Sequence, residues 1–249
     1  MKFRAQNPTV KISLCYGFPI TFASGIPRGE FLVLSQCSIV LVVRMSHPNE
    51  ELAAAIHRAA DLLIERKISD VSRELALSLI EQANDALAQG ENYSLDERHA
   101  GFLRQLAPDS GTAPIQDGES FIGFAESPYS GNGNALRPAS IVYSRDGDAV
   151  SATVRLGSAF EGRPGRAHGG ATAAVFDDLM GALQRITARS GYTRTLTVQY
   201  LAAVPADEHV TFRAWCTGEE GRQFFVDATA TLDGKVLSTA SGVFTAATF

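Results

Sequence analysis

The sequence predicts an α+β fold in which an antiparallel sheet wraps around one long, mostly apolar helix. Two short strand patterns precede this helix, and four further runs rich in β-branched and aromatic residues follow it. Glycine-containing turns separate the last three of these runs, as in antiparallel hairpins. Such a sheet needs an apolar cover on one face, and within this part of the chain only the long helix can provide it.

Composition narrows the class of protein. The 249 residues suffice for one large domain, or for a medium-sized domain with an appendage, and the net charge is −5. This charge offers no general attraction to nucleic acid or to anionic membranes. Cys15, Cys37 and Cys216 are widely separated, and the histidines have no metal-ligand spacing. We therefore expect a cytoplasmic protein with free thiols, no metal and no cofactor of its own.

Residues 1–44 differ from the rest of the chain. They contain Pro8, Pro19 and Pro27 and show no sustained helical or strand periodicity. Their apolar run at 31–43 is too short to span a bilayer and lacks the features of a signal peptide. We interpret residues 1–44 as an irregular extension, translated upstream of a natural start at Met45.

Residues 45–110 are predicted to be a helical segment. The first helix follows Asn49, a candidate cap, and carries an apolar stripe at helical spacing: Leu52, Ile56, Ala59 and Leu63. A second helix is expected from near Asp70 to just before Gly90. A third, over residues 94–106, begins with Ser94 and Glu97 in the spacing of a capping box.

Helices that precede a different domain could form a DNA-binding helix-turn-helix. Residues 49–107, however, contain six basic residues against eleven acidic ones, whereas a DNA-reading module should be basic. We therefore expect these helices to pack against the following domain or against a sister subunit.

Residues 111–137 are rich in turn formers and are predicted to be a connector, with an unassigned short element at 118–124. The wrapped sheet is expected to occupy 138–249. A hairpin should join 141–143 to 150–156, and an irregular loop at 157–167 should lead into a helix over 169–188. Four strands should follow, at 195–201, 210–216, 223–232 and 235–246, with hairpin turns at 218–221 and 233–234.

The residues at the start of the long helix are candidates for a catalytic role. His168, Gly169 and Gly170 stand where the loop meets the helix. The first N–H groups of a helix have no intrahelical partner, and residues without a Cβ let a substrate approach them. Such N–H groups can stabilise an oxyanion.

About two turns further along the helix are Asp177 and Asp178. Their neighbours are apolar, so a carboxylate here should be partly desolvated and is a candidate base or nucleophile. About 100° separates the two around the helix, so only one can face a given site. Asp177 is our first candidate and Asp178 the second, while an ordinary ion pair with Arg185 or Arg189 is the alternative for either.

This order of elements, with His168-Gly169-Gly170 opening the helix and Asp177 nine positions after the histidine, resembles the PaaI-like acyl-CoA thioesterases of the hotdog fold. The resemblance covers roughly residues 138–249. It implies that Gly169 supplies the oxyanion-hole N–H, that Asp177 is general base or nucleophile, and that Thr193 helps to hold the water. It assigns His168 to positioning the helix start. Relatives often carry asparagine where this chain has Gly162, so a polar contact from that position is not expected.

The spacing of these residues predicts a shared site. Eight residues separate Gly169 from Asp177, about 12 Å along one helix, whereas a thioester carbonyl and the attacking water must be about 3 Å apart. Two helices in a symmetric dimer could bring Gly169 of one subunit to Asp177 of the other. The resemblance implies the same, as a homodimer or a homotetramer.

We therefore expect an acyl-CoA thioesterase whose substrate contacts Gly170 and whose coenzyme A phosphates contact Arg163 and Arg166. The acyl chain length, and coenzyme A versus acyl carrier protein, remain open. Two other functions are kept as alternatives: an acyl-thioester hydratase or dehydratase of the same fold, and a non-catalytic acyl-CoA sensor.

Overall fold

The computed structural model describes residues 48–94, 97, 115–121, 123, 127–138, 141–187 and 191–246. All of them belong to the unit Pro48–Phe249. The predictions for residues 1–44, Met45, Cys15, Cys37 and Arg189, and most of the third helix at 94–106, lie outside the described residues. Ser94 and Glu97 are described and confirm the capping box: the Ser94 N–H donates to the Glu97 carboxylate at 2.8 Å, and the Glu97 N–H to the Ser94 hydroxyl at 3.2 Å.

Three helices and nine strands are present in the described part of the chain. The helices are α1 (Glu50–Glu65), α2 (Asp70–Ala88) and α3 (Gly169–Thr187). The strands are β1 (Ser120–Phe121), β2 (Tyr143–Asp146), β3 (Ala149–Arg155), β4 (Glu161–Arg163), β5 (Arg166–Ala167), β6 (Gly191–Tyr200), β7 (His209–Glu220), β8 (Gln223–Leu232) and β9 (Lys235–Ala246).

Seven strands form one antiparallel sheet in the order β1-β2-β3-β7-β8-β9-β6, and β4 pairs with β5 separately. Helix α3 lies against the concave face, and its side chains enter the core with those of the sheet. Phe176 of α3 meets Phe212 of β7 edge to face, at 5.1 Å between ring centroids. The fold is therefore the predicted hotdog fold, an antiparallel sheet wrapped around one long helix.

The observed element boundaries agree best with the predicted ones where a turn separates two strands of alternating apolar residues. β8 and β9 have the predicted bounds, and the turn between them uses Asp233 and Gly234, both with positive φ. β2 begins at Tyr143 rather than at Ile141, although Ile141 is buried. β6 and β7 are longer than predicted because exposed polar residues extend them beyond their apolar runs.

The loop prediction for residues 157–167 was wrong in detail. A 3-10 turn at Ser158–Phe160 is followed by the hairpin of β4 and β5, which turns at Pro164 and Gly165. Gly165 has φ of 72°, a conformation that glycine adopts without strain. The unassigned element near 118–124 contains β1, which pairs with β2 at the edge of the large sheet.

Helix α1 docks through a different face from the one predicted. Leu52, Ile56 and Leu63 of the apolar stripe are exposed, whereas Ala53 and His57 are buried. Asn49 occupies the cap position, but its side chain makes no cap hydrogen bond.

Carboxylates on the buried side of α1 bind the turn before β4. Asp61 accepts the Ala159 N–H at 2.9 Å, and Glu65 accepts the Ser158 hydroxyl at 2.7 Å. The backbone and hydroxyl donors of this turn need acceptors. The helix therefore docks through a face that carries carboxylates, rather than through its apolar stripe.

Helix α2 begins at Ser69, whose hydroxyl caps it by accepting the Ser72 N–H at 3.1 Å. None of its residues is buried in the described part of the chain, including Val71, Leu75 and Leu79. Among the described helices, none is both long and apolar enough to cross a membrane.

Candidate active site

Asp177 lies half-buried on α3, and the strand that follows the helix brings Thr193 onto it. The Thr193 hydroxyl donates to Asp177 Oδ1 at 2.8 Å, although the residues are 16 positions apart. Among the described residues no donor is found for the second carboxylate oxygen of Asp177. This carboxylate is thus oriented by one bond and keeps one oxygen for a further partner.

Asp178 faces a different set of donors. The Ser127 hydroxyl donates to its Oδ1 at 2.6 Å, and the Tyr143 hydroxyl makes a very short hydrogen bond to its Oδ2. Burial, with the negative charge of Asp178, raises the pKa of Tyr143 well above its usual value, so this hydroxyl stays a donor. Both oxygens of Asp178 are therefore engaged in holding the connector and β2 to α3.

A cavity of about 250 Å³ lies beside this pair of aspartates. Its wall is largely aromatic or small: Phe121, Tyr143, Gly181, Ala182, Tyr192 and Phe244. Arg185 lies at the wall as well, over the Phe121 ring at 5.1 Å from its centroid. Burial lowers the pKa of this guanidinium, with Glu119 opposing the shift.

His168 and Tyr200 organise the start of α3. His168 Nδ1 accepts the Gly170 N–H at 3.0 Å, and the Tyr200 hydroxyl donates to the Gly169 carbonyl at 2.6 Å. The His168 N–H is itself held by the Phe160 carbonyl at 2.7 Å. For the Gly169 N–H, no acceptor is found in the described part of the chain. Of the two glycine amides, only that of Gly169 is thus left for a ligand.

The helix start opens into a cleft of about 590 Å³, lined in part by Arg163, Arg166, His168 and Gly169. Gly162 also lines it, and a Cβ at this position would come within 3.1 Å of His168 Cα. A side chain at position 162 would therefore press tightly against His168.

The structure keeps the two chemical groups of one chain apart. Gly169 and Asp177 belong to one continuous helix, so about 12 Å of helix separates them. The cleft contains Gly169 and not Asp177, and the cavity contains Asp177 and not Gly169. The predicted site residues therefore form two groups: His168, Gly169, Gly170, Arg163 and Arg166 in one, and Asp177 with Thr193 in the other.

The sequence did not indicate Ser127, Tyr143 or Tyr200 as parts of the site. Ser127 and Tyr143 are 51 and 35 positions from Asp178, so no local spacing connects them. The sequence offered one indirect signal of these partners, the adjacent Asp177 and Asp178. Two neighbouring carboxylates lie on different faces of a helix and therefore need two different sets of partners.

Comparison with known proteins finds a family model that matches part of the chain. Residues 164–238 match the family model described as the Thioesterase superfamily, a match that includes the start of α3 and both aspartates. No curated protein matches the chain in sequence.

One solved structure is similar in fold over most of both chains. The crystal structure of a thioesterase superfamily protein superposes with a TM-score of 0.64 and 22% identity, over 80% of this chain and 91% of that chain. A hypothetical thioesterase from Streptococcus pneumoniae TIGR4, solved with coenzyme A, gives 0.39 and 21%, over 40% and 79%. The Escherichia coli PaaI protein gives 0.39 and 15%, over 42% and 80%. The first similarity supports the hotdog fold, and the other two are too weak to extend it.

Proposed function

From the match of residues 164–238 to the Thioesterase superfamily model and from the hotdog fold, we propose that the chain hydrolyses acyl-CoA thioesters to a free acid and coenzyme A. The observation that carries the proposal is the oriented carboxylate of Asp177 beside a mostly apolar cavity. A carboxylate held by one hydrogen bond, with its second oxygen open, can take a proton from water.

Asp177 is the base in this proposal, rather than Asp178. Asp178 already accepts two hydrogen bonds from Ser127 and Tyr143, and a proton acceptor needs a free lone pair directed at the water. The Thr193 hydroxyl fixes the rotamer of Asp177. It thereby reduces the reorganisation that proton transfer would otherwise require.

The oxyanion is stabilised by the Gly169 N–H in this mechanism. This amide lies at the first turn of α3, where the helix dipole adds to its attraction for negative charge. Its neighbour, the Gly170 N–H, is engaged by His168. His168 and Tyr200 are positioning residues, because they hold the backbone on either side of the donor.

The reaction then balances without a metal or a serine nucleophile. Water attacks the thioester carbonyl carbon while one of its protons passes to Asp177, and the carbonyl oxygen becomes an oxyanion facing Gly169. The C–S bond breaks as the carbonyl reforms, and the leaving thiolate takes the proton from Asp177, which gives the thiol of coenzyme A, the free acid and the regenerated carboxylate. Direct attack by Asp177, with an anhydride as intermediate, is the nucleophilic variant of this route.

A second copy of the chain completes the site. Gly169 and Asp177 of one subunit cannot reach the same carbonyl across about 12 Å. Strand β6 forms an edge of the large sheet, and most of its residues are exposed. Pairing of two β6 edges would continue the sheet and bring two α3 helices side by side. The active assembly is therefore a homodimer, or a tetramer built from such dimers.

Arg163 and Arg166 supply the positive charge at the cleft beside Gly169. Guanidinium groups bind phosphate through paired N–H donors. In this proposal they contact coenzyme A phosphates while the thioester reaches Gly169.

The test is a thiol-release assay across acyl-CoAs of increasing chain length, with wild type and Asp177→Asn. Loss of a general base should lower kcat by about 10²–10⁴-fold while folding and assembly stay intact. Asp85→Asn, the same change on the exposed α2, is the matched control. Wild type that releases thiol from none of the substrates would contradict the thioesterase, and tight acyl-CoA binding in that case would favour the sensor. An unchanged rate in Asp177→Asn would remove Asp177 from the mechanism.

A further inference from the structure

A glycine interrupts the apolar sequence of α3 at position 181, well inside the helix Gly169–Thr187. Glycine in a helix interior is less favourable than alanine, because it loses more backbone freedom on folding. The residue therefore needs a reason, such as close packing or space.

Close packing against the described residues is not the reason. A Cβ added to Gly181 would meet no heavy atom of these residues within 4 Å. Elsewhere in the same core, a Cβ at Gly242 would come within 2.8 Å of Met180 Sδ, and one at Gly191 within 2.7 Å of the Thr245 carbonyl oxygen. Those two glycines are crowded by their neighbours, whereas in the described part of the chain Gly181 borders open space.

That space is the cavity of about 250 Å³ that also contains Asp177. Gly181 follows Asp177 by four residues, so both lie on one face of α3 about 6 Å apart along its axis. Arg185 follows after a further turn and lines the same cavity. The cavity thus runs along the helix, with the proposed base near one end and Gly181 beside its middle.

Beside the polar groups, much of the cavity lining is apolar. Phe121 and Phe244 line it from the sheet and Ala182 from α3, and the ring of Tyr143 is almost completely buried beside them. Such a surface favours hydrocarbon over a polar chain, because contact with it removes apolar area from water.

We infer that Gly181 sets the length of the acyl group that the enzyme accepts, an inference that rests on the proposed thioesterase function. An acyl chain whose carbonyl lies at Asp177 passes Gly181 about 6 Å further on. The missing side chain leaves room for the carbons at that level. The preferred substrate is therefore an apolar acyl thioester that extends beyond this point, and a larger residue at 181 restricts the enzyme to short acyl groups.

The experiment compares wild type, Gly181→Ala and Gly181→Leu with acetyl-, butyryl-, hexanoyl- and octanoyl-CoA. Gly181→Leu should lower kcat/KM for the two longer substrates by at least about tenfold, the effect of excluding a methylene group from a tight pocket. Its kcat/KM for acetyl-CoA should stay within about twofold of wild type, because the acetyl group ends before position 181.

Gly181→Ala keeps the test independent of folding. The open space accepts its Cβ, and alanine favours the helix, so its melting temperature should equal or exceed that of wild type. Its chain-length profile should shift in the same direction by a smaller factor. Gly218→Ala and Gly218→Leu are matched controls in β7, outside the cavity, where a Cβ would meet Phe225 at 3.9 Å and no other described residue within 4 Å. They should leave the profile unchanged.

The outcomes separate the inference from the function. If wild type hydrolyses no acyl-CoA, the thioesterase proposal itself fails. If wild type is active but Gly181→Leu lowers every substrate equally, or none, the role of Gly181 is wrong and the thioesterase stands. Dissociation of the Gly181→Ala oligomer in size-exclusion chromatography would also overturn the inference, because the glycine would then serve contact between subunits.

Discussion

The Thr193 hydroxyl lies 2.8 Å from Asp177 Oδ1 and joins the beginning of β6 to the middle of α3. A threonine on the strand after the helix thereby orients a carboxylate on the helix itself. Asp177 also lines the cavity, so loss of this bond should affect catalysis more than folding.

Thr193→Ala should lower kcat about tenfold, because the carboxylate loses a charge-assisted hydrogen bond and its fixed rotamer. Thr193→Ser keeps the hydroxyl and should recover most of the rate. Steady-state kinetics of thiol release measure both variants. Equal rates for alanine and serine would show that the hydroxyl has no part in the reaction.

The oxyanion role of Gly169 can be tested at a single atom. Gly169 is the first residue of α3, a position where proline is well tolerated. Gly169→Pro removes the N–H and should reduce kcat by about 10²–10³-fold. Gly169→Ala adds a Cβ in ordinary contact with Tyr200, at 3.4 Å, and keeps the N–H. It should retain far more activity, and the opposite ranking would contradict an oxyanion hole at this amide.

A mixing experiment tests whether two subunits share the site. Asp177→Asn and Gly169→Pro should each be inactive alone. Unfolding and refolding an equal mixture produces hybrid dimers in which one of the two sites has both groups intact, which restores about a quarter of wild-type activity. Sites formed within single chains would regain nothing on mixing. Refolded wild type supplies the reference rate.

Tyr143→Phe should reveal the role of the Asp178 cluster in stability. At neutral pH the variant loses one donor to a half-buried carboxylate, at a cost of about 1–3 kcal/mol in the free energy of unfolding. Urea denaturation with intrinsic fluorescence measures it. A variant as stable as wild type would show that the Tyr143 hydroxyl contributes nothing to folding.

The same pair should differ in alkaline solution. Burial raises the pKa of folded Tyr143 above the usual 10.0, so its protonated form stabilises the fold fully below about pH 10. This contribution is lost as the pH rises from 10.0 through the higher folded pKa. The free energy of unfolding of wild type should therefore fall more steeply above pH 10 than that of Tyr143→Phe. Parallel curves would contradict the raised pKa.

Local patterns were enough to predict much of the fold. Glycines at element ends and alternating apolar residues predict the start of α3 at Gly169 and the bounds of β8 and β9. Both are short-range signals. The hairpin of β4 and β5 could not be predicted, since its two short strands are mostly exposed and show no alternation of apolar residues.

The site shows the same division. Gly169, Asp177 and Thr193 were predicted from the resemblance to a family, and the structure brings Thr193 onto Asp177. Their roles in catalysis stay predictions. Ser127 and Tyr143 were missed because their contact with Asp178 exists only after the connector and β2 have folded against α3. The buried face of α1 was predicted wrongly for the same reason. Its carboxylates accept hydrogen bonds from Ser158 and Ala159, about a hundred residues further along the chain.

The hydrogen bonds of α1 reach as far as the proposed oxyanion donor. Asp61 holds the Ala159 amide, the adjoining Phe160 carbonyl holds the His168 amide, and His168 holds the turn that presents Gly169. A chain shortened to residues 138–249 would keep every proposed catalytic group and lose the first link of this relay. We therefore expect such a chain to bind the proposed substrate less tightly without any change at the reacting atoms, because α1 supports the backbone that presents Gly169.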